Sequence, residues 1–132
     1  MEYEIIKDGK FDYLEVGEGE TLMLCHGLFG ALSNFSDLIE KFRHTHKVVV
    51  PILPLFDLDI LHTSVSGLEK HVAAFIEHKN YTNIHLLGNS LGGHVALVYV
   101  LKHPERVKSL TLTGSSGLFE NAMGDSYPKR GD

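Results

Sequence analysis

Apolar residues in this chain form short runs separated by turn residues, which is the pattern of β-strands in a folded domain. The runs predict strands at residues 3–7, 11–16, 21–25, 47–52 and 107–113. A further strand is predicted directly before Gly88. Asp8-Gly9 lies between the first two runs and favours a tight hairpin turn. The runs at 21–25 and 107–113 indicate strands buried within a sheet.

Between the strands, apolar residues recur with the spacing of helices that bury one face. The first set contains Phe35, Leu38, Ile39 and Phe42. The second set contains Leu68, Val72, Phe75 and Ile76. Ser33 is in the position of an N-cap for the first helix, and the second is expected to end near Asn80 after a loop at 55–66. A third helix is predicted at 91–101, with a long apolar stretch after Gly93. This helix is apolar all round and is expected to need cover on more sides than this chain can provide.

Two opening strands followed by alternating helices and strands predict an α/β fold, with a mostly parallel sheet flanked by helices on both faces. Ligands of such sheets bind at the C-terminal ends of the strands. His26-Gly27-Leu28 follows one predicted strand, and Ser90 follows another. We therefore expect these two segments to lie on the same edge of the sheet.

Ser90 is the strongest candidate for chemistry in the chain. Residues 88–93 read GNSLGG, and they stand between an apolar strand and an apolar helix. This is the G-x-S-x-G pattern of a nucleophile elbow, in which the tight turn leaves no room for Cβ atoms two residues before and after the serine. The turn exposes the hydroxyl beside the start of a helix, where backbone N–H groups can stabilise an oxyanion.

Composition narrows the class of protein. The chain has 132 residues, 43% of them hydrophobic and 22% charged, which suits one globular domain. A net charge of −5 argues against nucleic acid or an anionic membrane as the main partner. Cys25 is the single cysteine, so an internal disulfide is impossible and a cytoplasmic location is expected. We interpret Cys25 as a small buried residue at a strand end, since nothing basic is placed to activate its thiol.

Three segments together resemble the α/β-hydrolase superfamily. They are HGLFG at 26–30, GNSLGG at 88–93 and HPERV at 103–107, and their order and spacing cover almost the whole chain. The resemblance implies the N-terminal part of that fold, with about six strands and with the cap and last strands absent. It implies a partial core domain at 1–132, in which 115–132 begin the connection to the cap. Residues 107–113 would then form a bare apolar edge, a predicted aggregation site.

The resemblance also implies roles for individual residues. Ser90 would be the nucleophile, and the backbone N–H groups of Leu28 and Leu91 would form the oxyanion hole. Phe29 and Leu118 would line an apolar substrate pocket. The motif glycines would be Gly27, Gly88 and Gly92. No metal and no cofactor are expected.

The general base is the missing part of the predicted site. In this superfamily the triad follows the order serine, acid, histidine, and the last two come after later strands. The chain has nine histidines, but none is in the place of that base. His94 lies four residues after Ser90 and projects along the helix away from the turn, and His26 is expected to shape its loop. We therefore expect a complementary C-terminal polypeptide to supply the acid and the histidine.

Three functions are consistent with these features. The first is a serine hydrolase that cleaves carboxylic esters through an acyl-enzyme at Ser90. The second is a C–C bond hydrolase of ring-fission keto acids, because the GNSxGG form of the elbow is similar to that of such enzymes. The third is a non-catalytic, hydrolase-like fragment that acts as a binding or assembly module.

Overall fold

The computed structural model describes residues 3–26, 31–53 and 65–114, with the backbone alone described for 31–34. The strands are β1 (Ile6–Asp8), β2 (Phe11–Val16), β3 (Glu20–Cys25), β4 (His46–Pro51), β5 (Ile84–Asn89) and β6 (Val107–Thr113). The helices are α1 (Ala31–Phe42), α2 (Val65–Lys79) and α3 (Leu91–Lys102), and a single 3₁₀ turn covers Pro104–Arg106. The predicted strands and helices are all present, with ends shifted by a few residues.

The six strands form one mixed sheet in the order β1-β2-β4-β3-β5-β6. The β1–β2 hairpin pairs antiparallel to β4, whereas β4, β3, β5 and β6 run parallel to one another. The chain places β4 on one side of β3 and later places β5 on the other side. The sheet therefore reverses its direction of growth between β3 and β5, and such switch points are where open α/β sheets bind ligands.

Helices cover both faces of the sheet, as predicted, and alternate strand residues divide between two cores. On one face, Phe35 and Ile39 of α1 pack with Leu24 and Val48. On the other face, residues of α2 and α3 pack against Met23, Val49, Ile84 and Leu86. Because both faces of β3 and β4 are largely buried, these two strands hold their last residues, Cys25 and Pro51, in fixed positions.

Three expectations about local structure are wrong. Ser33 does not cap α1, because that helix begins at Ala31 and Ser33 lies inside it. The loop expected at 55–66 is shorter at its end, since Val65 and Ser66 already belong to α2. The β6 strand is largely exposed rather than buried, because it is the last strand in the order and, among the described strands, pairs only with β5.

The exposed edge itself agrees with the sequence-based expectation. Leu112 on β6 is 37% exposed, and Leu101 at the end of α3 is 74% exposed. The expected link to a cap at 115–132 lies outside the described residues. In the part of the chain that the structure describes, no helix is long and apolar enough to cross a lipid bilayer.

Candidate active site

The ends of β3 and β5 bring the candidate segments together. Cys25 pairs with Gly88 in the parallel register of these strands, so His26 and Ser90 both leave the sheet at its C-terminal edge. The prediction that they share this edge is confirmed. Helix α3 comes closest to β3 at Gly92, where an added Cβ would overlap the carbonyl oxygens of Cys25 and His26. The first turn of α3 thus packs directly on the start of the loop after β3.

Ser90 has an unusual backbone conformation. Its φ is 58° and its ψ is −121°, a combination that side-chain-bearing residues rarely adopt. Its N–H donates to the Thr113 carbonyl at 3.0 Å, and its own carbonyl accepts from the N–H groups of Gly93 and His94 at 2.9 and 3.3 Å. These backbone bonds hold the turn from both sides.

The Ser90 side chain is exposed and available. Ser90 occupies the N-cap position of α3, yet its hydroxyl makes no capping hydrogen bond. Leu91 is the first residue of the helix, so its N–H has no partner within the helix. The exposed hydroxyl therefore stands beside a backbone donor that the helix itself does not use, at the positive end of a helix dipole.

The glycines of the turn are required by its tight packing. A Cβ on Gly88 would lie 2.6 Å from the Gly92 carbonyl oxygen and 2.6 Å from the Gly93 Cα. Both contacts are with backbone atoms, which cannot rotate away. The steric reason expected from the sequence for glycine at 88 and 92 is present in the structure.

His26 is a buried residue that ties two strand ends together. It is 5% exposed, and its Nε2 accepts a hydrogen bond from the Leu53 N–H at 3.0 Å. Accepting through Nε2 places the proton of the neutral ring on Nδ1. His26 thereby links the start of the loop after β3 to the end of the β4 segment, which agrees with its expected role in shaping that loop.

Cys25 is fully buried, and burial raises the pKa of its thiol to about 12. A thiol with that pKa is inert at neutral pH. The interpretation of Cys25 as a small buried residue at the end of a strand is confirmed.

Several described histidines have partners away from Ser90. His85 contacts Glu20 and Ser109, His78 contacts Asp8, and His103 lies 3.8 Å from Glu105. His71 is half-buried, with its ring 5.3 Å from that of Phe11. Burial lowers the pKa of His71. These contacts give none of the four the role of base to Ser90.

Other site residues predicted from the sequence fall outside the described part of the chain. They are Gly27, Leu28, Phe29 and Leu118. Sequence reasoning also missed two partners in the site. Leu53 binds His26, and Thr113 binds the Ser90 N–H while its hydroxyl donates to the Asn89 side chain at 3.1 Å. These hydrogen bonds join residues that are far apart in sequence, so no local sequence pattern predicts them.

Among residues 3–26, 31–53 and 65–114, no three histidine, cysteine or carboxylate side chains are arranged to hold a metal ion. The chemistry available at this edge is that of an exposed serine hydroxyl, backbone donors and a helix N-terminus. Such a set suits nucleophilic attack on a carbonyl group, followed by stabilisation of the resulting oxyanion.

Comparison with known proteins agrees with this geometry. The family model described as the alpha/beta hydrolase fold matches residues 20–131. Lipase 1 of Psychrobacter immobilis is 30% identical over 116 residues, which are 83% of this chain and 37% of the lipase. The 1-acylglycerol-3-phosphate O-acyltransferase of Arabidopsis thaliana is 52% identical over 114 residues, covering 77% of this chain and 26% of that protein.

Hydrolases of 2-hydroxy-6-oxo-dienoic acids from Pseudomonas putida and Comamonas testosteroni match at 26–34% identity. Among solved structures, an alpha/beta hydrolase enzyme from lagoon sediments at Mar Chica, Morocco, superposes with a TM-score of 0.80 and 45% identity. The match covers 91% of this chain and 55% of that enzyme. The chain thus spans only part of the length of each of these relatives.

Proposed function

Because this chain belongs to the alpha/beta hydrolase fold family, we propose that it is the nucleophile-bearing part of a serine hydrolase that cleaves carboxylic esters. The observation that carries the proposal is the conformation of Ser90, with φ 58° and ψ −121° and an exposed hydroxyl at the switch point of the sheet. The backbone strain there costs free energy, and it presents the exposed hydroxyl in the way that a nucleophile elbow requires.

In the proposed reaction, Ser90 Oγ attacks the ester carbonyl carbon and its proton passes to a histidine. The carbonyl oxygen becomes an oxyanion that accepts hydrogen bonds from the N–H groups of Leu28 and Leu91. The histidine then protonates the departing alcohol, which leaves an acyl-enzyme on Ser90. Water hydrolyses that ester by the reverse sequence and restores the serine. Phe29 and Leu118 are proposed to contact the acyl group.

The acid and the histidine are proposed to come from a complementary C-terminal polypeptide. It would pair with the exposed edge of β6 and bring the histidine to Ser90. Two features support this part of the proposal: in the described part of the chain β6 has β5 as its single strand neighbour, and the relatives are longer than the matched region. Without a base, Ser90 and the oxyanion donors alone would give only weak activity.

A short-chain p-nitrophenyl ester tests the proposal on the protein purified with any polypeptide that accompanies it. We expect Ser90→Ala to lower ester hydrolysis by at least ~100-fold. Ser66→Ala, at an exposed serine on α2, is the matched control and should leave the rate unchanged. Ester hydrolysis that survives Ser90→Ala would contradict the assignment. Binding of an ester without any turnover would favour a binding module instead.

Carbon–carbon bond hydrolysis is the second candidate, favoured by the similarity to hydrolases of 2-hydroxy-6-oxo-dienoic acids. Those substrates are coloured, so one spectrophotometric assay can compare a dienoate with the p-nitrophenyl ester. A kcat/KM that is higher for the dienoate would select the second function. A higher value for the ester would select the first.

A further inference from the structure

A second serine lies in a hydrogen-bonded chain of serine, imidazole and carboxylate, at the opposite end of the sheet from Ser90. The Ser109 hydroxyl is 2.8 Å from Nδ1 of His85, and Nε2 of His85 is 2.7 Å from a carboxylate oxygen of Glu20. The three residues come from the adjacent strands β6, β5 and β3. His85 precedes Ser90 by five residues, or about 16 Å along a strand, so the two serines are separate.

The hydrogen-bond partners assign the proton positions of this chain. Bonds to His85 and Lys108 hold the pKa of the Glu20 carboxyl at about 2, so Glu20 is ionised and can only accept. In the neutral ring the His85 proton is therefore on Nε2, and Nδ1 is left as the acceptor. Ser109 must then donate its proton toward Nδ1. This is the relation between nucleophile, base and orienting acid on which serine catalysis rests.

A bulge in β6 builds the cluster. The pairing of β5 with β6 shifts between Ile84 and His85, which pair with Val107 and Ser109, so Lys108 is an extra residue. Bulges redirect side chains from their normal alternation. As a result, Ser109 reaches His85 while the neighbouring Lys108 Nζ lies 2.9 Å from the second carboxylate oxygen of Glu20.

The cluster is open to solvent. Ser109 is exposed, and the side chains of His85 and Glu20 are 25% and 51% exposed. The His46 ring on β4 lies 6.0 Å from the His85 ring in an edge-to-face arrangement. A small electrophile can therefore approach Ser109 directly.

We propose that Ser109 is a second nucleophile, which His85 activates and Glu20 positions, and that it reacts with small activated acyl and phosphonyl electrophiles. With an alkyl phosphonofluoridate, Ser109 Oγ forms a bond to phosphorus and the P–F bond breaks. Fluoride leaves, and the serine proton passes to Nδ1 of His85. The resulting imidazolium is paired with the Glu20 carboxylate. An activated ester reacts likewise, forming acyl-Ser109 and releasing its phenol.

The test is labelling of the Ser90→Ala variant of the full chain with an alkyl phosphonofluoridate, followed by peptide mapping. In the parent protein, trypsin cleavage after Lys79 and Lys108 puts Ser90 and Ser109 in different peptides. Absence of label on Ser90, which would contradict the proposed function, is therefore distinguishable from absence of label on Ser109. Exposed Ser66 on α2 is the internal reference. We expect Ser109 to be labelled roughly 100-fold faster than Ser66, the scale of general-base catalysis.

His85→Gln should reduce Ser109 labelling to the rate of Ser66, and Glu20→Gln should reduce it in part. Equal rates at Ser109 and Ser66 before these substitutions would overturn the proposal. So would labelling of Ser109 that is unchanged by His85→Gln in a folded protein, as judged by circular dichroism. If His85→Gln fails to fold, Glu20→Gln takes its place, and an unchanged rate in that variant is the overturning result.

Discussion

At the scale of single residues, the backbone of Ser90 is strained. Among the described residues, three side-chain-bearing positions have positive φ: Asn80, Asn83 and Ser90. Asparagine tolerates this region because its short amide side chain forms hydrogen bonds with the nearby backbone. Serine has no such advantage, and a ψ of −121° takes Ser90 outside the left-handed helical well altogether. Conformations of this kind cost about 1–3 kcal/mol.

Relief of that strain is measurable. We expect the Ser90→Gly variant to have a free energy of unfolding about 1 kcal/mol higher than the Ser90→Ala variant, because glycine adopts positive φ without a Cβ clash. This relief of strain outweighs the larger conformational entropy that glycine loses on folding. Urea unfolding of both variants gives the comparison. At Ser66, the second residue of α2, the order should reverse and alanine should be the more stable, because glycine is the poorer helix former. Alanine being the more stable residue at position 90 would show that the turn is not strained.

Between elements, the contact of α2 with α3 includes a buried charge. Glu69 of α2 is 1% exposed and lies 2.9 Å from Lys102 Nζ at the end of α3. Its second carboxylate oxygen is buried and has no hydrogen-bond partner among the described residues. Desolvation of a carboxylate is costly, and one half-exposed lysine compensates for it only in part.

Removal of the lysine should therefore cost more than removal of the pair. We expect Lys102→Met to lower the free energy of unfolding by about 2 kcal/mol, since it leaves Glu69 buried and unpaired. The double variant with Glu69→Met should regain most of that loss, because methionine fills the space with apolar atoms. Denaturant unfolding of the single and double variants measures both effects. A double variant less stable than Lys102→Met alone would refute this account of the pair.

The elements themselves were largely predictable, because strands and helices here follow the period of their apolar residues. Helix ends were less so: Ser33 has the chemistry of a cap, but α1 starts two residues earlier. The Ser109–His85–Glu20 chain was invisible in the sequence, since it depends on a bulge that shifts β6 by one residue. Periodicity assigns residues to faces, and a bulge breaks the alternation on which that assignment rests.

For the molecule as a whole, the sequence predicted which segments lie at the same edge of the sheet, but it did not predict the order of the strands. Alternation of strands and helices predicted that His26 and Ser90 meet at one edge, and they do. The apolar run at 107–113 indicated that β6 is buried, which is wrong. An apolar strand favours a buried position in the sheet. Whether the strand is in fact buried depends on the elements that lie beside it.

The exposed edge of β6 should make the isolated chain associate. Unpaired edge strands pair with other chains, and an inward-pointing charge prevents this. We expect Leu112→Lys to lower the association of the purified chain, measured by light scattering across a concentration series. Leu101→Lys removes a more exposed apolar residue from α3 rather than from the edge, and it should have the smaller effect. A larger effect of Leu101→Lys would assign association to the helix surface.

The bond from the Ser90 amide to the Thr113 carbonyl also has a consequence for the order of events during synthesis. The ribosome makes the chain from its N-terminus, so residues 88–93 leave the exit tunnel well before residue 113 does. Until β6 has emerged and aligned with β5, the Ser90 amide lacks its partner and the turn is held from one side only. We therefore expect the serine, although it is translated early, to reach its final geometry only after the last strand of the described sheet is in place.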